Sequence, residues 1–214
     1  MSVLSYLPTP VKRLGRKIIG DRFQNHGEIS DRDFDEIRTA MDRIRPSIFI
    51  EVGTGRGVST RRIFAHLVGL GIPFDLYSIE IFAQHHARIA QAIRDPRFHP
   101  ILGLSVRIEE TTDPAHSELA TYKGPQNVLR TLLDSDLAGR TVDLAFIDSR
   151  KGSALAEFNV LAARLSRHGT IFCHDVLNGG KGVEVLQHLK DNADRYEFDV
   201  IDTGPDGIIR SNYR

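Results

Sequence analysis

Five apolar stretches of this 214-residue chain end in, or lead just past, a polar side chain: Glu51, Glu80, Ser105, Asp148, and His174 followed by Asp175. Carboxylates and an imidazole gathered in one place can hold a cation, accept a proton from a hydroxyl or orient a ligand's alcohols. Acids often follow strands only to cap the next helix, so one or two would carry little weight. A set of five points to a shared site.

The stretch around Glu51 is the most specific. Residues 47–57 read Ser-Ile-Phe-Ile-Glu-Val-Gly-Thr-Gly-Arg-Gly, with Val58, Ser59 and Thr60 opening a helix. A strand passing through glycines into a helix brings bare backbone up to a nucleotide-like ligand. A dinucleotide fingerprint needs its third glycine at position 58, where this chain has Val58, and a phosphate loop needs Gly-Lys-Ser/Thr, which is absent. An acid ahead of the turn repels pyrophosphate and suits a ligand with a positive charge. That favours an aminoacyl sulfonium over NAD or ATP.

These side chains need elements to position them, and the chain alternates helix and strand patterns from residue 30 onward. Ser30 caps a helix with Phe34, Ile37, Met41 and Ile44 on one face, closed by Pro46. Strands are expected at 47–52, 74–79, 99–102, 142–147 and 170–173. Helices are expected from Ser59 to Gly69 or Gly71, over 83–94, over 126–134, after Lys151 with Leu155, Phe158, Leu161 and Leu165 on one face, and over 181–190. Residues 106–125 are polar and irregular, which fits a binding loop or a plain surface excursion. Strands at 197–201 and 207–211 are joined by Asp-Thr-Gly-Pro-Asp, a link short enough only for a hairpin, so one C-terminal strand is antiparallel. The fold class is therefore α/β: a Rossmann-like, doubly wound, mostly parallel seven-stranded sheet with helices on both faces. In such a sheet the ligand lies beyond the carboxyl ends of the strands, where all five polar ends fall. Glu80 then suits the two hydroxyls of a ribose; read without function, it is an acid at a helix N-terminus.

Bulk properties bound the alternatives. The 28 basic and 28 acidic side chains cancel, so no general attraction to nucleic acid is expected. One cysteine, no apolar run of membrane-spanning length and no continuous apolar signal core make cytoplasmic the expected location. Lys12, Arg13, Arg16, Lys17 and Arg22 interleave with Val11, Leu14, Ile18 and Ile19. Residues 1–25 thus read as a basic amphipathic extension: a helix packed on the domain, a lid, or a weak membrane-surface contact. Residues 26–214 read as one domain, and association with further copies is left open.

Taken together, Glu-x-Gly-x-Gly-x-Gly, the acid ending strand two, Phe-Ile-Asp after strand four, His-Gly-Thr-Ile-Phe into strand five and the closing hairpin resemble class I S-adenosylmethionine-dependent methyltransferases. Gly27-Glu28-Ile29-Ser30 and Gly57-Val58-Ser59-Thr60 are similar to the small-molecule O-methyltransferases of the catechol and sugar type. The resemblance implies S-adenosylmethionine as cofactor and a small-molecule hydroxyl, of a sugar, phenol or polyketide, as methyl acceptor. It implies that Glu51, Gly53, Gly55 and Ser59 surround the methionine part, with Thr54 and Gly57 shaping the turn. Glu80 would take the ribose, Ile81 would pack on the adenine and Ser105 would sit at its edge. Asp148 and Asp175 match the Mg²⁺-binding acids of metal-dependent relatives, and Lys151 matches their proton-accepting lysine.

One departure bears on the metal. The relatives follow the strand-five acid with Asn or Asp, and here it is Val176. Two carboxylates with water could still hold Mg²⁺; without it, Asp175 or His174 acts alone as base. Read without function, His174 is a satisfied strand-end histidine and Lys151 a surface lysine opening a helix. Asn178 is a further candidate ligand, and His85, His86 and His116 are expected in solvent. Three other functions compete: nucleic-acid methylation, disfavoured because Asp148-Ser-Arg-Lys stands where base-amine methyltransferases resemble one another in an Asn/Asp-Pro-Pro-aromatic turn; a fold-retaining binding protein without catalysis, which need not keep Asp148, Lys151, His174 and Asp175; and an NAD-linked oxidoreductase, disfavoured by Val58.

Overall fold

The computed structural model describes residues 29–112, 119, 121–177, 179–201 and 207–214. The basic extension over 1–25, Gly27 and Glu28, most of the 113–120 insertion with His116, Asn178, and the 202–206 link lie outside the described residues.

Helix α1 (Asp31–Ile44) begins at the expected cap. Ser30 Oγ accepts from the Asp33 amide at 3.1 Å, and the Asp33 carboxylate accepts from the Ser30 amide at 3.3 Å. Two of the helix's free N–H groups are thus satisfied reciprocally. Phe34, Ile37 and Met41 face the core, and Arg45 in the left-handed conformation ends the helix before Pro46.

The strands are β1 (Ile48–Val52), β2 (Asp75–Glu80), β3 (Phe98–Leu102), β4 (Val142–Ile147), β5 (Leu165–His174), β6 (Tyr196–Ile201) and β7 (Ile208–Tyr213). They form one seven-stranded sheet in the order β3-β2-β1-β4-β5-β7-β6. Only β7 runs antiparallel, wedged between β5 and β6. The other helices are α2 (Val58–Gly69), α3 (Ala83–Ala92), α4 (Val128–Asp134), α5 (Ala154–Ala162) and α6 (Val183–Asp191). The expected fold class is borne out.

Period-two alternation divides the core between the two faces. Ile48, Ile50, Val52, Ala145, Ile147, Ile171 and Cys173 pack with α4, α5 and α6. Phe49, Leu144, Phe146 and Phe172 pack with α1, α2 and α3 on the other face. The register pairs Glu51 with Phe146 and Phe146 with Phe172. Two residues further along β4 and β5, the same face therefore carries Asp148 and His174, toward α1. Alternation alone brings them side by side.

One element differs from the sequence reading. Leu165, expected on the apolar face of the helix after Lys151, opens β5 opposite Val142. The helix has already ended at Ala162. Between Val142 and Leu144 the register shifts, leaving Arg167 and His168 exposed outside the even pairing. An apolar residue one turn past a helix end fits either role by spacing, and the edge of β4 decides it.

Candidate active site

The turn after β1 needs its glycines for two different reasons. Gly53, at φ 97°, has its backbone so close to β4 that a Cβ would lie 2.2 Å from the Asp148 carbonyl oxygen. Gly57, at φ 79°, is the left-handed residue from which α2 starts. The Gly53 amide donates to the Ile79 carbonyl at 3.0 Å, tying the turn to β2.

Glu51 secures this turn from behind. Its carboxylate is fully buried and accepts from Ser59 Oγ at 2.6 Å, Thr60 Oγ1 at 2.6 Å and Ser78 Oγ at 2.7 Å. Burial raises its pKa from 4.5 to about 7, and the three hydroxyl donors hold it back from rising further. At neutral pH this group is only partly ionised, which weakens the attraction for a positively charged ligand expected from the sequence, and its carboxylate faces three hydroxyls outside the cleft lining.

A cleft of about 180 Å³, open to solvent, lies on the other side of the turn. Of the residues expected to hold a cofactor, Gly53, Gly55, Glu80, Ile81, Ser105 and Asp148 line it. Glu51, Thr54, Gly57 and Ser59 lie outside that lining; Thr54 is buried with its hydroxyl 2.6 Å from Ser78 Oγ. Glu80 accepts from the Gly55 amide at 2.7 Å and from the Phe82 amide at 2.7 Å. Each carboxylate oxygen can take a further donor, as a diol would supply.

Three lining features were not expected. Arg150 lies over the Phe82 ring at 4.8 Å, making a flat wall. His85, expected in solvent, lines the cleft 4.0 Å from Glu80. Glu157 is fully buried and receives the hydroxyls of Ser105 and Ser149. Burial raises its pKa, and those hydroxyls and Ser153 oppose the rise. An acid on the apolar stripe of a helix, between Ala154, Phe158 and Leu161, was the signal for Glu157.

At the Asp148 end of the cleft lies a dense charge cluster. His174, 4 % exposed, has Nδ1 3.0 Å from Asp175 Oδ1 and 3.5 Å from Asp148 Oδ1, and Nε2 3.4 Å from Asp33 Oδ2. Nδ1 has no aligned hydrogen bond, so the attraction is mainly one of charge. Burial alone would lower its pKa; three carboxylates overcome that and raise it to about 11. Burial likewise pushes Asp175 upward, and His174 and Lys181 reverse this to about 2. Lys181 Nζ bridges the acids, 2.6 Å from Asp148 Oδ1 and 2.9 Å from Asp175 Oδ2.

The sequence profile of a family described as "Methyltransferase domain" matches residues 50–176, from β1 through the strand-five acid. The chain belongs to this methyltransferase family. No curated protein matches the sequence at a significant level. Among solved structures, the methyltransferase is similar to an O-methyltransferase of Bacillus cereus in complex with SAH. The two share 15 % identity and a TM-score of 0.62 over 99 % of this chain and 94 % of that one. It is also similar to SAH-bound PaMTH1 of Podospora anserina, at 17 % identity and a TM-score of 0.61 over 97 % and 89 % of the two chains. TomG of Streptomyces achromogenes, an O-methyltransferase involved in tomaymycin synthesis and solved with SAM, aligns at 14 % identity and a TM-score of 0.60 over 97 % and 90 %. At these identities the likeness is one of fold.

Within the methyltransferase the four residues expected to carry chemistry part company. Asp148, His174 and Asp175 are together, each offering a ligand atom within 4.8 Å of the others, as a metal site requires. Lys151 is exposed and lies outside the cleft lining. The lysine that reaches the acids is Lys181. Its signal was the Gly179-Gly180-Lys181-Gly182 run, whose glycines let the chain double back on Asp175. Asp33 was legible only as a helix-capping acid. As a site for Mg²⁺ the donor set fits poorly: an ammonium already bridges both carboxylates, the buried Val176 beside Asp175 offers no oxygen, and the remaining donor is an imidazole. Among the described residues no helix is long and apolar enough to cross a membrane.

Proposed function

We propose that this methyltransferase moves the methyl group of S-adenosylmethionine to a hydroxyl of a small molecule. The observation that carries this reading is that one cleft joins the glycine turn, the Glu80 carboxylate and Asp148, with the charge cluster at its Asp148 end. When bound, the cofactor supplies a methyl on a positively charged sulfur; the acceptor oxygen takes the carbon, the carbon–sulfur bond breaks, and the hydroxyl proton leaves.

The chain's residues divide that work. Glu80 receives the ribose hydroxyls while its own amide partners fix it. Phe82, Ile81 and Arg150 provide apolar and flat surface for the base, with Ser105 at its edge. Glu51, through Ser59, Thr60 and Ser78, sets the shape of the turn without touching the ligand. Asp148 spans both ends, facing the cleft and the charge cluster. The Asp175 carboxylate, one-fifth exposed beside Lys181 and His174, can accept a hydrogen bond from the acceptor hydroxyl and orient it, its proton passing to solvent as the carbon–oxygen bond forms. The positive groups favour negative charge developing on the acceptor oxygen. Fold likeness to O-methyltransferases that bind SAH or SAM supports the reading.

Calorimetry with S-adenosylhomocysteine tests it. The wild type is expected to bind, and Glu80→Ala to bind about tenfold to a hundredfold more weakly, as loss of charge-assisted hydrogen bonds implies. No binding to the wild type, or equal binding to the variant, would refute the assignment.

A further inference from the structure

The chain places a cation of its own between Asp148 and Asp175. We infer that the Lys181 ammonium holds the place a divalent ion takes in metal-dependent relatives, so that methyl transfer here uses a resident cation and needs no added metal. This rests on the proposed reading of the cleft and charge cluster as the methyl-transfer site.

The backbone is built to hold the lysine there. Asp175 adopts φ 55°, left-handed for a non-glycine residue, and its carbonyl accepts from the Gly182 amide at 2.9 Å. Gly180 approaches so closely that a Cβ would lie 2.1 Å from the Asp175 carbonyl oxygen. A Cβ at Gly182 would lie 2.7 Å from Cys173 Sγ and from Val176 Cγ1. Residues 179–182 therefore pack tightly back onto 175–177, and Lys181 stands between two glycines that no larger residue could replace without displacement. Its side chain is 31 % exposed, far less than a solvated lysine, and both anchoring distances are those of charge-assisted hydrogen bonds.

The surroundings are those of a monovalent, tethered cation. Mg²⁺ demands near-octahedral oxygen coordination. Beside the two acids stand an imidazole, a poor partner for a hard ion, and the apolar Val176. An ammonium carries three donors in all. Two reach the carboxylates, and the third can reach an acceptor oxygen, as an open coordination position on a metal would. The Lys181 ammonium already pairs with both carboxylates, so a divalent ion would have to displace it.

The test is Mn²⁺ binding to the full chain saturated with S-adenosylhomocysteine, measured by electron paramagnetic resonance of the free ion. Wild type is expected to bind no Mn²⁺ at millimolar concentration. Lys181→Met, similar in length but neutral, releases the two carboxylates and is expected to bind Mn²⁺ at least about tenfold more tightly than the millimolar limit set by wild type, while Lys181→Arg, which keeps the charge, binds none. Simple loss of a structural ion pair would not create a metal site. Stoichiometric Mn²⁺ on the wild type, or no gain in a folded Lys181→Met, overturns the inference. If Lys181→Met proves unfolded, the wild-type measurement decides alone. Absence of S-adenosylhomocysteine binding to the wild type would instead count against the proposed function, and the Mn²⁺ result remains readable without it.

Discussion

Glu51→Gln isolates the fully buried carboxyl that ties the glycine turn to Ser59, Thr60 and Ser78. In the unfolded chain this group titrates near 4.5, and in the folded protein near 7. The folded state thus holds the proton more tightly. Ionisation costs nothing extra below about pH 4.5; the fold then weakens as pH rises, and the loss is complete above about pH 7. At about 1.4 kcal/mol for each pH unit between those values, the span corresponds to about 3 kcal/mol. The fully buried position means no discount for solvent screening is needed. Glutamine has the same shape and cannot titrate. Its carbonyl can accept from Ser59, and its amide can donate to the Thr60 or Ser78 hydroxyl, which turn to suit. Because the chain lacks tryptophan, urea unfolding is best followed by circular dichroism. The stability of Glu51→Gln relative to wild type should rise by about 3 kcal/mol between about pH 4.5 and pH 7.5, so that a variant matching or trailing wild type in acid overtakes it near neutrality. A difference that stays flat across that range would mean Glu51 does not titrate there. The placement of its carboxylate behind the turn would then be wrong.

Two further outcomes follow from the same geometry. Gly53→Ala forces a side chain toward the Asp148 carbonyl at a φ of 97°, and thermal unfolding should show a loss of about 2–4 kcal/mol; an unchanged Tm would place the turn elsewhere. His174, raised from 6.5 to about 11, contributes stability fully present below pH 6.5 and lost as pH rises through about 11. The alkaline arm of the wild-type stability profile should therefore slope downward from pH 6.5, and His174→Gln should flatten it. Parallel slopes in the two proteins would show that the three carboxylates do not hold the imidazolium.

What the sequence makes legible here is whatever local pattern and alternation decide. The strand ends that carry Glu51, Glu80, Asp148 and His174, the cap at Ser30 and the closing antiparallel strand all follow from spacing and turn chemistry. The side of the sheet on which Glu51 stands follows equally from alternation with Phe49, although its consequence was read the other way. A carboxyl on the face that α2 covers meets Ser59 and Thr60, and it lies outside the cleft lining. Lys181 was hidden because the pattern from 181 to 190 looks helical, whereas α6 starts at Val183 and the lysine belongs to the loop before it. Which lysine reaches an acid depends on how the chain doubles back over Gly180 and Gly182, a property of tertiary contact. Lys151 follows Asp148 at the expected spacing, yet it is exposed and outside the cleft lining. Asp33, more than a hundred residues from His174, shares with it only the face to which both point.

The wedge of β7 between β5 and β6 has a consequence for the order of assembly. β5 carries His174 at its end, and until residues 208–213 arrive that strand has β4 on one side and an open hydrogen-bonding edge on the other. A nascent chain paused before this point can build the glycine turn and the cleft from local βαβ units, but it exposes the edge next to its most charged group. Open edges recruit other strands, and pairings this distant in sequence form slowly. The half of the protein that carries the glycine turn can therefore be complete while the half that carries the charge cluster is still unfinished, and the interval between the two is when the chain is most exposed to mispairing with its neighbours.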